Sequence, residues 1–270
     1  MRSELVLVPY HLGRTGVGPA NGVAVLAEAL ADLAETTVTV TREREDKYEV
    51  AACFDVVRGV AARVAEVVAR DGFPLVLAGN CLSSLGTCAG LGSSVGVVWL
   101  DAHADFNTPD STPSGFIDGM GLALLTGSGW EALRSTVPGH QPIPEEHVVL
   151  AARDLDPAEE ERLNASPILR AGFEDLPEAL DVLRERVKDV YLHIDLDVLD
   201  PSVGRANSLA CEGGATLEQA AGATEAVCAR FNVRAAALTW YDPPYDPDGA
   251  IPPAARVLVE RLLSTVAVAR

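Results

Sequence analysis

The sequence predicts an α/β fold, a three-layer α/β/α arrangement around a mostly parallel central sheet, and three observations carry that prediction. Short apolar runs rich in β-branched residues alternate with longer stretches whose apolar residues recur at helical spacing. The runs are apolar throughout, as strands buried on both faces of a parallel sheet must be. Residues able to do chemistry cluster just past the ends of several runs, which is where ligands sit in open α/β sheets. There is no internal repeat, low-complexity linker or compositional break, so one domain over residues 1–270 is the simplest organisation.

Leu5 to Val8 reads as the first strand and Gly13 to Gly18 as a glycine-rich turn. Gly18-Pro19 then opens a helix from about Ala20 to Leu33, since proline is tolerated in a first helical turn. Thr36 to Val40 is β-branched and extended, and Tyr48 to Arg70 carries helical spacing. Pro74 to Ala78, Val95 to Leu100 and His147 to Ala151 are the next strands, followed by Val190 to Ile194 and Ala235 to Leu238. Helices near Pro177 to Val187 and Leu217 to Phe231 separate these later strands, and a last helix runs from about Pro253 to Val266.

Composition excludes several function classes. A net charge of −18 and a pI near 4.6 argue against nucleic acid or an anionic membrane as partner, since both attract a basic face. Cys53, Cys81, Cys88, Cys211 and Cys228 are odd in number and form no CxxC pair, which fits a reducing cytoplasm. Only four apolar residues separate Glu4 from Pro9, too few for a signal peptide, and no apolar run approaches a membrane span.

The run Val97-Val98-Trp99-Leu100 breaks into Asp101, His103 and Asp105, spaced two apart. Strand alternation turns all three to one side, where two carboxylates and an imidazole make a set of metal ligands. Alone, the triplet also fits a solvated turn with one hydrogen-bonded histidine. Asp195 and Asp197 repeat the spacing after another strand, so the ligands Asp101, His103, Asp105, Asp195 and Asp197 can converge. Four carboxylates together repel one another, and two divalent cations supply the compensating charge. Two such ions share a water, lower its pKa towards neutrality and present hydroxide as a nucleophile.

The stretches DAHADFNTP at Asp101 to Pro109 and DLDVLDP at Asp195 to Pro201 resemble the arginase–agmatinase (ureohydrolase) family. The resemblance runs from the Gly-Val-Gly-Pro turn at Gly16 to the final helix. It implies the family's α/β/α fold, a binuclear manganese site, hydrolysis of guanidino or related amidine groups, and commonly a homo-oligomer. It also implies that Asn107 and Ser114 hold the substrate's α-carboxylate while Asp154, Asp156 and Glu159 cradle its α-ammonium. Donors suit a carboxylate and acids suit an ammonium. The alternative is that Asp154 and Asp156 merely cap the helix that follows.

This sequence departs from the family at three places. Gly79-Asn80-Cys81 stands where the family has Gly-Asp-His, which puts Cys81 in the place of a histidine ligand. A thiolate binds divalent ions but is soft where Mn²⁺ prefers oxygen and nitrogen; the alternative is a small buried cysteine that ligates nothing. Asp118 stands where arginases carry a proton-shuttling histidine and is the candidate for that catalytic role. Trp240 replaces the glutamate that grips the guanidinium, and an indole face cannot make the bidentate pair a carboxylate makes.

Loss of that first histidine, with the order His193-Ile194-Asp195, resembles the branch acting on Nω-hydroxyarginine. The expected ligand roles put Asp101 and Asp195 between the ions, Asp105 with Cys81 on the first, and His103 with Asp197 on the second. Asp105 then passes a proton to the departing amine, and urea or hydroxyurea is released. Two alternatives stay open: a binding or regulatory protein that has lost turnover, and a hydrolase of a non-guanidino amidine. His11, His140 and His147 read as structural or exposed.

Overall fold

The computed structural model describes residues 2–42, 48–92 and 95–268. Strands β1 (Ser3–Val8), β2 (Thr36–Thr39), β3 (Phe73–Ala78), β4 (Gly96–Leu100), β5 (Val148–Ala151), β6 (Leu169–Arg170), β7 (Asp189–Asp195) and β8 (Asn232–Thr239) form an eight-stranded sheet. Their order is β2-β1-β3-β8-β7-β4-β5-β6, and every pairing is parallel. The chain builds outward from β1 and β3, jumps to β4, and returns to fill the gap with β7 and β8. As a result β3, β8, β7 and β4 lie side by side with their carboxyl ends along one edge.

Alternation along the strands feeds two cores, one on each face of the sheet. Val76, Trp99, Tyr191 and Ala237 point to a core shared with helices α2 (Glu49–Ala69), α3 (Ser83–Gly90) and α4 (Gly121–Thr126). Leu77, Leu100, Leu192 and Leu238 point the other way. There they meet α1 (Pro19–Ala29) and, after the short α5 (Glu131–Arg134) and α6 (Pro157–Asn164), helices α7 (Leu176–Arg184), α8 (Leu217–Arg230) and α9 (Ile251–Val268). This is the three-layer arrangement expected, with a sheet that is parallel throughout.

Boundaries differ in places. The Ala20 to Leu33 stretch is not one helix: α1 ends before Leu30, and Ala31–Leu33 tightens into a 3₁₀ turn. Helix α7 closes at Arg184 because the Leu183 carbonyl accepts the N–H groups of both Arg186 and Val187. His147 belongs to a 3₁₀ turn, Glu145–His147, that precedes β5. Among the described residues no helix is long and apolar enough to cross a membrane.

Candidate active site

Four adjacent strands deliver the site. Cys81 follows β3, Asp101 and His103 follow β4, Asp195 ends β7 with Asp197 in the next turn, and Trp240 follows β8. Each local bend is pinned by one of the carboxylates it presents. Asp101 Oδ1 accepts the His103 N–H at 2.8 Å, and Asp195 Oδ1 accepts the Asp197 N–H at 3.0 Å. Asp197 Oδ1 reaches across to the Ala102 N–H at 3.2 Å, tying the β4 and β7 ends together. Trp99, two residues before Asp101, donates its indole N–H to Asp101 Oδ2 at 3.0 Å.

The ligand atoms fall into two sets. Asp101, His103 and Asp197 form one, with His103 Nδ1 lying 3.3 Å from Asp101 Oδ1 and 3.5 Å from Asp197 Oδ2. Cys81, Asp101, His193 and Asp195 form the other. Asp101 belongs to both, as a bridging ligand must. Oxygen and nitrogen in the first set suit a hard or borderline divalent ion, while the sulfur in the second makes it softer. Both sets therefore fit metal, and they differ in kind.

His193 was not among the ligands expected from the sequence. It is fully buried, and its ring stacks on Trp99 with centroids 3.6 Å apart. Ser84 Oγ at 3.0 Å and Tyr191 Oη at 3.1 Å meet Nδ1, leaving Nε2 on the side of Thr239. The available signal was its place two residues before Asp195 on β7, the same two-residue spacing that separates Asp101 from His103.

Asp105 departs from the expected alternation. The strand ends at Leu100, and Asp105 sits at φ 50, a left-handed bend uncommon outside glycine. Its carbonyl thereby accepts the N–H groups of Leu122 and Ala123 at the start of α4. The side chain falls outside both ligand sets yet lines the same cavity.

The candidate ligand, catalytic and substrate-contact residues expected from sequence, from Cys81 to Trp240, line one cavity of about 250 Å³. At its other end Asp156 Oδ1 caps α6, accepting from the Ala158 and Glu159 N–H groups at 2.9 and 3.0 Å. Asp156 Oδ2 accepts the Asn107 amide at 2.6 Å, so capping and cavity lining are carried by different oxygens of one carboxylate. Buried Glu159 accepts the Phe106 N–H at 2.7 Å. Asp154 and Ser114 are exposed at the mouth. His11, His140 and His147 belong to neither ligand set, though His11 packs on Trp240 near the rim.

The electrostatics are those of a site built for cations. Burial, with Asp197 alongside, pushes Asp101 up to about 6. Burial and neighbouring carboxylates push Asp105 and Asp195 well above the usual range, and burial raises Glu159 to about 7. His103 is driven by its carboxylate neighbours, Asp101 foremost, up to about 9 against the effect of burial. Burial holds His193 neutral, at about 3. Burial and the surrounding carboxylates also raise Cys81, whose thiol donates to Asp195 Oδ2 at 2.9 Å.

Asp118, the expected proton carrier, is buried, and burial raises its proton affinity against the pull of the donors around it. Its oxygens accept from Asn80 Nδ2, the Cys81 and Leu82 N–H groups and the Trp240 indole N–H, which fills a carboxylate's capacity.

Comparison with known proteins agrees with this geometry. Residues 4–264 match the profile of the Arginase family. The arginase of Bacillus subtilis strain 168 is 35% identical over 227 residues, covering 74% of this chain and 76% of that one. The arginase of Bacillus caldovelox is 39% identical over 174 residues, an aligned segment that spans 59% of this chain and only 58% of its relative. The crystal structure of that same enzyme superposes with a TM-score of 0.84 and 31% identity over 97% of this chain and 98% of its own. Ligand sets at the ends of β3, β4 and β7, a whole-chain superposition and a profile match over nearly the whole length lead to one assignment: this chain belongs to the arginase family.

Proposed function

We propose that the protein is a metal-dependent hydrolase acting on the C–N bond of a linear amidine, and that its substrate is an arginine-like amino acid with a hydroxyguanidino group, as in Nω-hydroxyarginine. The observation that carries this is the cavity itself, with metal-ligand sets at one end and an acidic and amide-bearing pocket at the other. Two divalent ions, manganese in this proposal, supply charge compensation for the carboxylates and acidify water when bound.

The chain's own residues do the rest. Asp154, Asp156 and Glu159 receive the α-ammonium. Asn107 spends one amide N–H on Asp156 and has a second for the α-carboxylate, with Ser114 beside it at the mouth. When ions are bound, Asp101, His103 and Asp197 would hold one, and Cys81, Asp101, His193 and Asp195 the other. Asp105 holds the proton passed to the departing amine, and its raised proton affinity suits that task. Trp240 offers no second carboxylate to a guanidinium, which favours the less basic hydroxyguanidine. The products are hydroxyurea, or urea from arginine, and an ornithine-like amino acid. Action in the cytoplasm, as a homo-oligomer, belongs to the same proposal, and the free state of all five cysteines supports that location.

Steady-state assays of metal-loaded protein with hydroxyarginine, arginine and agmatine test it, with urea-type products as the readout. Hydroxyarginine should be preferred over arginine, and agmatine, which lacks the carboxylate, should be poorest. No product from any amidine would refute the proposal. One observation favours a second reading, a binding protein that keeps the fold without turnover: the second ligand set contains the sulfur of Cys81, a soft donor beside hard carboxylates. That reading predicts fewer than two ions per chain.

A further inference from the structure

Asp118 faces the cavity with its bonding capacity spent. Oδ2 accepts the Asn80 amide at 2.7 Å, the Cys81 N–H at 3.1 Å and the Trp240 indole N–H, while Oδ1 accepts the Leu82 N–H at 2.8 Å. A carboxylate has about four lone-pair positions. Four donors from three directions hold the carboxylate in place. They also join three separate parts of the chain: the turn after β3, the 3₁₀ turn Asp118–Met120, and the end of β8.

Trp240 lies at φ 60, a backbone region that a bulky residue occupies only when its surroundings hold it there. Its N–H donates to the Ala78 carbonyl at 3.2 Å, and its carbonyl accepts the Asn207 amide at 3.0 Å. The same amide group donates to Asp197 Oδ2 at 3.1 Å, so the backbone of Trp240 is tied to a candidate metal ligand. The ring's single polar atom is its N–H, and Asp118 takes it. His11 and Phe116 pack edge-on, with centroids 5.1 and 5.9 Å from the indole. What remains for the cavity is an apolar, immobilised aromatic surface beside Cys81.

We infer that Asp118 is a positioning residue: it locks the Trp240 indole as the wall against which the amidine end of the substrate lies, and through that wall it sets which amidine the cavity prefers. The preference rests on the amidine-hydrolase proposal above; the locking does not.

Two readouts separate these parts. In a Trp130→Phe background, which removes the half-exposed indole and leaves the fully buried Trp99, acrylamide quenching of tryptophan emission reports Trp240. Asp118→Asn should raise the quenching constant at least about twofold, because an amide in that place turns two donors towards the groups that now donate to Asp118. In metal-loaded protein, the kcat/KM ratio of hydroxyarginine to arginine should fall about fivefold or more in Asp118→Asn. Trp240→Phe should show the same fall, and the double variant no further fall, because residues acting through one contact are non-additive. Trp240→Phe keeps this test available should Asp118→Asn fail to fold.

Unchanged quenching with an unchanged ratio in Asp118→Asn would overturn the inference. So would loss of a limb of the kcat pH profile in Asp118→Asn that Trp240→Phe retains, since that identifies a proton carrier. A wild-type protein inert towards every amidine refutes the functional proposal, and the quenching result then decides the locking role by itself.

Discussion

Stripping metal from this protein should make its thermal stability fall as pH rises, and restoring metal should oppose that fall. The buried carboxylates set the direction. A carboxylate held above its ordinary value in the folded state binds a proton that the unfolded chain has released. Its contribution is therefore full at low pH and is lost as pH climbs through the folded value. Asp101, up to about 6, loses its contribution between about pH 4 and 6, and Glu159, up to about 7, between about 4.5 and 7. Asp105 and Asp195 act in the same direction. His103, raised to about 9, prolongs the fall: its stabilising charge is complete below about 6.5 and disappears as pH passes 9. Between pH 5.5 and 8, Asp101 and Glu159 together withdraw about 3 kcal/mol. At this chain length that is a drop of about 10 °C in Tm.

Calorimetry of chelator-treated protein at a series of pH values measures the drop. Bound metal needs ionised ligands, so the Tm gap between metal-loaded and metal-free protein should widen over the same range. A net charge of −18 also destabilises the fold as pH rises, so the control is a double variant, Asp101→Asn with Glu159→Gln. It should lose about 3 kcal/mol of the pH dependence while keeping the part due to surface charge. A metal-free Tm that is flat or rises from pH 5.5 to 8, or a double variant with the wild-type slope, would refute the reasoning.

Asp156→Ala removes both a helix cap and a cavity carboxylate, so steady-state kinetics should show KM raised about tenfold for an amino acid substrate, while stability falls by about 1 kcal/mol. Tyr191→Phe deletes one of the two hydroxyls that orient His193, and cobalt titration followed by absorbance should show affinity at that site reduced about 10- to 100-fold. In the same titration Cys81→Ser should lose the sulfur-to-cobalt charge-transfer band; a wild-type protein without that band would remove Cys81 from the ligands. Gly22→Ala would place a methyl carbon 1.8 Å from the Tyr241 carbonyl oxygen, next to Trp240, and chemical denaturation should report a loss of about 3 kcal/mol or more.

The candidate metal ligands that sequence made legible are those whose positions follow from local geometry. Asp101 with His103, and Asp195 with Asp197, sit two apart where an apolar run gives out, and the strands that carry them read directly from those runs. His193 was obscured by the same rule, because a histidine inside an apolar run reads as part of the strand. Helix α3 gave no signal: Ser83-Ser84-Leu85-Gly86-Thr87-Cys88-Ala89-Gly90 has poor helix formers and is buried all round, so no amphipathic period exists. Its glycines serve close packing instead, since a Cβ at Gly86 or Gly90 would lie 2.4 or 2.6 Å from a carbonyl oxygen of α2. Asp118 kept its partners hidden for a different reason. Its bonds reach 38 residues to Asn80 and 122 to Trp240, and no local pattern encodes partners that distant.

The most direct measurement is turnover against metal bound per chain, with metal-free protein reconstituted in steps and the bound ions counted by elemental analysis at each step. Product formation from hydroxyarginine should be absent without metal, rise as ions are added, and reach its maximum at two ions per chain. Turnover that survives complete metal removal, or a protein carrying two ions per chain that converts no amidine, would contradict a metal-dependent amidine hydrolase.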